Sequence, residues 1–331
     1  MVLMHTSAAR RASLAAAASS LLFLAACGSE DATGGSGGTA ASGDRLDVVA
    51  GFYPLEWAAS RIGGDRVEVS SLTAPGAEPH DLELTPRDVA GVSDADLLVY
   101  LSGFQSAVDE AAESQAGDHS WDAAEAADLS LTSEGHDHGA EEHGHADGEE
   151  HEHAEGEEVT DPHFWLDPTR LADVGDALAQ QLTEIDPDGA DTYEANAAAL
   201  RDDLEALDEE MSTGLSGCTV DTLVTSHDAF SYLADRYGFE VIGISGLDPS
   251  TEPSPDQLAE ISELVDERGI STVYTETLID PAVAETVAAE AGVQTAVLDP
   301  IEGLTDESAG DDYLEVMRAN LATLQEGQSC S

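Results

Sequence analysis

The sequence predicts an α/β protein of two lobes, each with a mainly parallel sheet, joined by one long rigid backbone helix. Short β-rich runs alternate with helical runs from Leu46 onward, which is the pattern of βαβ units. Two such sets are separated by a helical stretch with a continuous apolar stripe. A length of 331 residues suits about two domains, and a hydrophobic content of 41% is enough for a buried core.

Residues 1–26 are predicted to be a lipoprotein signal peptide. Arg10 and Arg11 precede the apolar stretch ASLAAAASSLLFLAA, which is too short to span a membrane as a stable helix. The stretch ends in LAAC, which resembles the cleavage motif of bacterial lipoproteins. The alternative to a lipidated cysteine is a Cys27 that only ends an ordinary signal peptide. We expect two acyl chains on Cys27 to anchor the exported protein to the outer face of the cell membrane. The Gly/Ser-rich residues 27–43 then form a flexible tether.

Residues 44–187 are predicted to form the N-terminal lobe, with the strands LDVVAGFY, VEVSSLT and DLLVYLS. This lobe is interrupted at about residues 134–158 by a segment that contains the tract GHDHGAEEHGHADGEEHEH. The tract has six histidines and seven carboxylates. Almost no apolar side chain is present, so we predict a disordered surface loop. Binding there has to order the loop, so its histidines form only weak auxiliary metal sites. These histidines are His136, His138, His143, His145, His151 and His153.

Residues 188–216 are predicted to form the linking helix. Its apolar positions repeat at steps of three and four residues, which makes one stripe of an amphipathic helix. These positions are Tyr193, Ala197, Leu200, Leu204, Leu207 and Met211. A helix that joins two α/β lobes gives a stiff connection, and the alternative is an ordinary packed helix within one domain.

Residues 217–331 are predicted to form the C-terminal lobe. Its strands are TLVTSH, EVIGIS, STVYTE and TAVLD, and its helices SPDQLAEISELVDERG and PAVAETVAAEAG each end in glycine. If Cys27 carries lipid, only Cys218 and Cys330 remain, and in an oxidising compartment they are expected to form a disulfide. Neither cysteine has a metal-spaced partner, which argues against a Cys/His zinc site.

The charge of the chain excludes some classes of partner. The net charge is -58, and all eleven basic residues are arginines. Nucleic acids and anionic membrane surfaces both require basic patches, so neither is expected as a partner, and membrane contact is through the lipid anchor only. The excess of acidic residues indicates an adaptation for solubility. An alternative explanation of this excess is that the negative surface concentrates cations near the protein.

Outside the signal peptide and the His-rich loop, four histidines remain: His80, His119, His163 and His227. His80 and His227 follow β-rich runs, and Asp299 ends the run TAVLD. In open α/β sheets, ligands bind beyond the carboxyl ends of the strands. His163 lies in a turn between two prolines, whereas His119 is predicted to be an exposed loop residue. Three imidazoles and one carboxylate would make a tetrahedral zinc site in the cleft between the lobes.

Four motifs carry a specific resemblance: GAEPHDLELTPRDV, DPHFWLDP, TSHDAFSYLADRYGFE and LDPIEGL. In this order they closely resemble the motifs of the metal-binding proteins of bacterial ABC importers, the cluster A-I family, and specifically its zinc branch. The resemblance covers nearly the whole of residues 47–324. It implies the metal ligands His80, His163, His227 and Asp299, with Glu78 and Glu276 in reserve. Manganese and iron members tend to have a carboxylate where this chain has His227, and an imidazole there favours zinc.

The resemblance implies a high-affinity extracytoplasmic zinc-binding protein rather than an enzyme. Zn²⁺ is then a transported ligand, which a monomeric protein captures and delivers to the membrane subunit of an ABC permease with its cytoplasmic ATPase. Because imidazoles must be neutral to bind metal, the affinity is expected to fall below about pH 6. One alternative is a manganese or iron carrier of the same family. Another is a zinc hydrolase with Glu78 or Glu276 as its general base, although the chain has no HExxH pairing.

Overall fold

The computed structural model describes residues 45–133 and 159–331. The predicted signal peptide, the lipidation site Cys27, the tether and the His-rich loop with its six histidines lie outside these residues. The described part contains two four-stranded parallel sheets and one long helix, so the predicted fold class is confirmed. Within those two ranges, no helix is both long enough and apolar enough to cross a membrane.

The first sheet has the strand order β2-β1-β3-β4, and every pair of neighbours is parallel. Its strands are β1 Leu46–Ala50, β2 Val67–Ser71, β3 Leu97–Tyr100 and β4 Ser120–Asp122. The central strands β1 and β3 are largely buried, as expected for Val- and Leu-rich strands covered by helices. Strand β4 was not predicted from the sequence, because a strand of three residues with one apolar side chain, Trp121, is too short to show an alternation.

The second sheet has the order β10-β9-β7-β8 and is also parallel throughout. Its strands are β7 Thr222–Thr225, β8 Glu240–Gly243, β9 Thr272–Thr275 and β10 Gln294–Val297. Three of them lie within the predicted β-rich runs, and β10 begins one residue before the predicted run TAVLD. Strands β7 and β9 are buried along their whole length. Because the strands run in the same direction, the residues that follow β7, β9 and β10 meet at one edge of the sheet.

Helices cover the sheets and connect their strands. They are α1 Tyr53–Gly63, α2 Pro86–Asp94, α3 Ser106–Ala111, α4 Ala124–Ala127, α5 Pro168–Ile185, α6 Ala190–Leu215, α7 Ser231–Tyr237, α8 Pro255–Arg268, α9 Ala282–Ala291 and α10 Tyr313–Gly327. Local sequence explains several of their ends. Ser254 and Gln257 form a capping box at the start of α8, and Gly269 ends that helix with a φ of 67°.

The long helix α6 packs along both lobes. All six residues of the predicted apolar stripe are buried, together with Leu215 at the end of the helix. This stripe faces α1 and α5, which precede α6 in the chain, and α10, which follows the second sheet. The predicted disulfide is confirmed: Cys218, just beyond α6, is bonded to Cys330, just beyond α10. The two helices are therefore covalently tied at their carboxyl ends.

The main hydrophobic core is shared by both lobes. It contains Val48 and Leu97 from the first sheet, Leu223 and Tyr274 from the second, and residues of the helices between them, such as Leu204. Two smaller clusters pack on the outer sides, one beneath α2 and α3 and one beneath α8 and α9. Each sheet is thus covered on both faces, as parallel sheets require.

A short antiparallel pair flanks the stretch that is not described. It consists of β5 Thr132–Ser133 and β6 Val159–Thr160. The chain continues from β6 directly into Asp161, whose backbone N–H donates to the carbonyl oxygen of Leu131 at 2.9 Å. This pairing fixes the backbone two residues before His163.

Candidate metal centre

Three imidazoles and one carboxylate converge between the two sheets. They belong to His80, His163, His227 and Glu302, and one potential ligand atom of each lies within 4.8 Å of all the others. The side chains of His163, His227 and Glu302 are fully buried, and that of His80 is 10% exposed. His80 comes from the first lobe and His227 and Glu302 from the second, so the cluster joins both lobes.

The carboxylate of Glu302 lies at the centre of this cluster. Its Oε1 atom is 3.2 Å from Nε2 of His80, 3.1 Å from Nε2 of His163 and 3.3 Å from Nε2 of His227. Zinc bonds to nitrogen and carboxylate oxygen are about 2.0–2.1 Å long, which gives a tetrahedral site edges of about 3.3 Å. The three nitrogen–oxygen distances therefore match three of the six edges of a tetrahedral zinc site.

His163 is held by the carboxylate two residues before it. Oδ1 of Asp161 accepts hydrogen bonds from both the backbone N–H and the ring Nδ1 of His163, each at 2.8 Å. An ionised carboxylate only accepts, so Nδ1 carries the hydrogen and Nε2 is left to face Glu302. The 3₁₀ turn Phe164–Leu166 follows at once and buries Trp165 against the histidine ring.

His227 is held in the same way by a carboxylate from the neighbouring strand. It lies two residues beyond β7, and Glu276 follows β9, which pairs with β7. The backbone N–H of His227 donates to Oε1 of Glu276 at 3.0 Å, and Nδ1 donates to Oε2 at 2.7 Å. Among the residues that the structure describes, the buried Nε2 atom of His227 and Oε2 of Glu302 have no hydrogen-bond partner, and both atoms suit a metal ion.

His80 lies on the irregular loop between β2 and α2. Its ring packs edge-on against Phe104, with the ring centres 4.7 Å apart. The loop is anchored by Gln105, whose amide donates to the carbonyl oxygen of Pro79 at 3.1 Å. Glu78 accepts the backbone N–H of His80 at 3.1 Å, so its carboxylate supports the loop.

The structure brings together the three predicted histidines but not the predicted carboxylate. Asp299 is buried outside the four-residue group, and its oxygens accept from the backbone of Ile301 and from two hydroxyl groups. The carboxylate at the imidazoles is that of Glu302, three residues later in the same LDPIEGL motif. Between these two carboxylates lies Ile301, whose left-handed backbone, with a φ of 59°, is one that a β-branched residue rarely adopts.

The remaining predicted residues lie around the group rather than in it. Glu276 holds His227, and the carboxylate of Glu78 is 4.0 Å from Nε2 of His80. His119 is exposed in the 3₁₀ turn Gly117–His119, as the sequence predicted. Asp161 was missed, although its position two residues before His163 is a visible signal for a carboxylate that supports a histidine ligand.

The electrostatics of the cluster favour positive charge at its centre. Burial lowers the pKa of His163, but the charges and hydrogen bonds of Asp161 and Glu302 outweigh burial and raise this pKa to about 9. Burial also lowers the pKa of His227, but the negative charges of Glu276 and Glu302 outweigh burial and raise this pKa well above its usual value. Burial raises the pKa of Glu302, yet the surrounding histidines hold it well below its usual range. A divalent cation can replace the protons on these rings.

The family comparison points to the same chemistry. Residues 48–327 match the family model ZnuA, described as "Zinc-uptake complex component A periplasmic". A curated relative, the zinc-binding lipoprotein AdcA of Streptococcus pneumoniae, is 36% identical over 85% of this chain. The chain spans only 56% of the length of that relative. The high-affinity zinc uptake system protein ZnuA of Bacillus subtilis is 36% identical, with coverage of 88% of this chain and 90% of the relative.

Solved structures share the fold. The laminin-binding protein of Streptococcus agalactiae, whose structure is described as that of a bifunctional adhesin and metal transporter, aligns with a TM-score of 0.72. It is 30% identical, and the alignment covers 86% of this chain and 99% of the other. Zn(II)-bound AdcA of Streptococcus pneumoniae aligns with a TM-score of 0.69 at 34% identity, over 86% of this chain and 58% of the other.

Proposed function

The chain belongs to the ZnuA family of zinc-uptake complex components, and on that premise we propose that it captures Zn²⁺ outside the cytoplasm for uptake into the cell. The zinc ion is the cargo of the protein. The observation that carries this proposal is the buried group of three imidazoles and one carboxylate, drawn from both lobes. We assign His80, His163, His227 and Glu302 as its ligands.

The composition of the group supports zinc over manganese or iron. Three nitrogen donors and one oxygen donor suit tetrahedral Zn²⁺, whereas manganese prefers oxygen-rich octahedral sites. The spacing of 3.1–3.3 Å between Oε1 of Glu302 and the three Nε2 atoms also agrees with a small tetrahedral ion.

The same composition supports binding rather than hydrolysis. A catalytic zinc usually has three protein ligands and an open fourth position for water. Here four side chains are available, and three of them are fully buried. The two carboxylates that could act as general bases already accept hydrogen bonds: Glu276 from His227, and Glu78 from backbone N–H groups.

We further propose that the protein is a monomer, lipid-anchored through Cys27, and passes zinc to the membrane subunit of an ABC permease driven by a cytoplasmic ATPase. The name of the AdcA relative as a lipoprotein supports the anchor, and the family description as a component of an uptake complex supports the partner. The His-rich tract at 135–153 would add weak auxiliary sites.

A zinc titration with a competing chelator tests the proposed site. We expect the wild type to bind one zinc ion tightly, and a variant with residues 135–153 deleted to keep that site. His227→Ala and Glu302→Ala each remove one ligand from the buried group and should abolish tight binding. His119→Ala removes an exposed histidine and serves as the matched control. Loss of tight binding on deletion of the tract, or its survival in His227→Ala, would contradict the assignment.

A further inference from the structure

Asp299 lies three residues before Glu302, and both oxygens of its carboxylate accept hydrogen bonds from other groups of the protein. It is 3% exposed. Oδ1 accepts the backbone N–H of Ile301 at 2.8 Å, and Oδ2 accepts the hydroxyl groups of Thr277 at 3.1 Å and Ser308 at 3.4 Å. The side chain of Asn320 accepts the backbone N–H of Asp299 at 3.0 Å and donates to its carbonyl oxygen at 2.7 Å. Asp299 is therefore fixed at both its backbone and its side chain.

Ile301 adopts a backbone conformation that is unfavourable for its residue type. Its φ of 59° lies in the left-handed region, where a β-branched side chain collides with its own backbone. In the described part of the chain, the other non-glycine residues with positive φ are Asp128 and Ser329, neither of them β-branched. The side chain of Ile301 is fully buried in the main core, so this strain is maintained by its surroundings.

Glu302 follows Ile301 directly, so this strained residue sets the direction of the carboxylate. The turn is held from the other lobe as well, because the indole N–H of Trp165 donates to the carbonyl oxygen of Pro300 at 2.7 Å. A residue that relaxed to negative φ would swing Glu302 away from the imidazoles. The hydrogen bond from Ile301 to Asp299 opposes that relaxation.

We propose that Asp299 is a positioning residue whose carboxylate holds the left-handed turn at Ile301 and so aims Glu302 at the three imidazoles. The proposal rests on the proposed function, in which Glu302 binds the zinc ion. It differs from a direct ligand role for Asp299, because a positioning carboxylate acts through its hydrogen bonds and a ligand acts through its negative charge.

Two substitutions separate these roles. Asp299→Ala removes the acceptor for Ile301 and should raise the Kd for zinc about 10- to 100-fold, as loss of an outer hydrogen-bond partner does. In Asp299→Asn the amide oxygen still accepts from Ile301, and the amide nitrogen can donate to the hydroxyl of Thr277, so the Kd should stay within about threefold of the wild type. Asp306→Ala removes an exposed carboxylate seven residues away and is the matched control.

A second-site substitution tests the turn itself. Glycine adopts positive φ without steric strain, so Ile301→Gly no longer needs the hydrogen bond from Asp299 to stay in the turn. The double variant Asp299→Ala/Ile301→Gly should therefore bind zinc several-fold more tightly than Asp299→Ala, although the loss of a buried side chain makes it less stable. Affinity and stability would move in opposite directions, which a general weakening of the fold does not produce.

The possible results are distinguishable. If the wild type binds no zinc tightly, or if Glu302→Ala leaves tight binding intact, the proposed function fails and this inference fails with it. If Glu302 is required but Asp299→Ala binds like the wild type, only the positioning role is overturned. Equal losses in Asp299→Asn and Asp299→Ala would favour a ligand role instead. If Asp299→Ala does not fold, the zinc affinity of Asp299→Asn tests the proposal, because a large loss of affinity in that variant overturns the positioning role.

Discussion

Asp161 and Glu276 hold two histidines by the same arrangement, although they belong to different lobes. Each carboxylate accepts the backbone N–H and the ring Nδ1 of a single histidine, His163 or His227. The ring orientation is thereby tied to the backbone, and the hydrogen of the neutral ring is assigned to Nδ1. Both Nε2 atoms then face the centre of the site before a metal ion arrives.

We expect these two carboxylates to tune the zinc affinity without touching the ion. Asp161→Asn and Glu276→Gln keep an acceptor but remove the negative charge that makes Nε2 a better donor to metal. Each should raise the Kd for zinc about 10-fold or more. Chelator competition measures the effect, with the exposed Asp306→Asn as the control. Wild-type affinity in both variants would show that the carboxylates only support the fold.

Zinc binding should release protons at neutral pH. The charges of Asp161 and Glu302 outweigh burial and raise the pKa of His163 to about 9, so this ring is protonated at pH 7 without metal. The pKa of His227 is shifted in the same direction. Ligation requires neutral rings, so we expect at least one proton to leave per zinc ion, and the affinity to rise from pH 6.5 towards about pH 9. Histidines with an ordinary pKa would instead lose zinc affinity only below about pH 6.

Calorimetry in buffers of different protonation enthalpy measures this release. The pH dependence of the free energy of unfolding of the metal-free protein provides a second test. Because the folded-state pKa of His163 is raised, its ion pairs stabilise the fold fully below about pH 6.5, and this contribution is lost as the pH rises through about 9. A binding enthalpy that is independent of the buffer would contradict the protonated starting state.

The histidines of the site were easier to predict from the sequence than its carboxylates. His80, His163 and His227 are rare residues at strand ends and in a constrained turn, and such positions are visible in the sequence. The chain has 69 acidic residues, so choosing among them requires the backbone path. Glu302, which lies in the group, directly follows Ile301, and the positive φ of Ile301 is one that its residue type disfavours and that the sequence therefore does not predict.

At the scale of secondary-structure elements, the linking helix α6 and the final helix α10 act as one support. The stripe of α6 packs on α5, α1 and α10, and the Cys218–Cys330 disulfide joins the ends of α6 and α10. The side chain of Gln328 donates to the carbonyl oxygens of Val220 and Thr222, at the start of β7. This anchoring lies at the opposite edge of the second sheet from the metal centre.

Removal of the disulfide should therefore lower stability without changing zinc affinity. The bond closes a loop with a sequence separation of 112 residues, and such a cross-link contributes about 2–4 kcal/mol to the free energy of unfolding. We expect Cys218→Ala/Cys330→Ala to lose about that amount in denaturant unfolding of the zinc-free protein. The zinc Kd of the folded variant should match the wild type. A large change in the zinc Kd would mean that the disulfide also affects the geometry of the metal centre.

The fold was predictable wherever an element carried a long pattern. The stripe of α6 and the strands of the second sheet were visible because apolar residues repeat at the helical period or form continuous β-rich runs. Strand β4 and the pair β5–β6 have three and two residues per strand, so tertiary pairing rather than local sequence defines them.

At the scale of the whole molecule, negative charge greatly exceeds what the arginines can neutralise. Arginines pair with acidic residues along α6, as Arg61 does with Asp203 and Arg318 with Glu210. With 69 acidic and 11 basic residues, most carboxylates have no basic partner available. Mutual repulsion of these charges opposes the compact state.

Salt should therefore stabilise the fold. Raising NaCl from about 0.01 M to 1 M shortens the screening length from about 30 Å to about 3 Å and weakens surface repulsion. We expect the melting temperature of the zinc-free protein to rise over this range. The buried site is screened much less, so zinc affinity should change little by comparison. A melting temperature that falls with added NaCl would show that attractive surface ion pairs dominate.

The core shared by the two lobes restricts how a bound ion can depart. Pulling the lobes apart would expose Leu204 and Trp165 and break the buried hydrogen bond between Trp165 and Pro300, which amounts to partial unfolding. The slowest amide protons of both sheets should accordingly exchange with solvent in one common opening event. His80 stands apart, on an irregular loop with a partly exposed ring. We therefore expect release to begin with a local displacement of that loop, while the rest of the molecule keeps its shape.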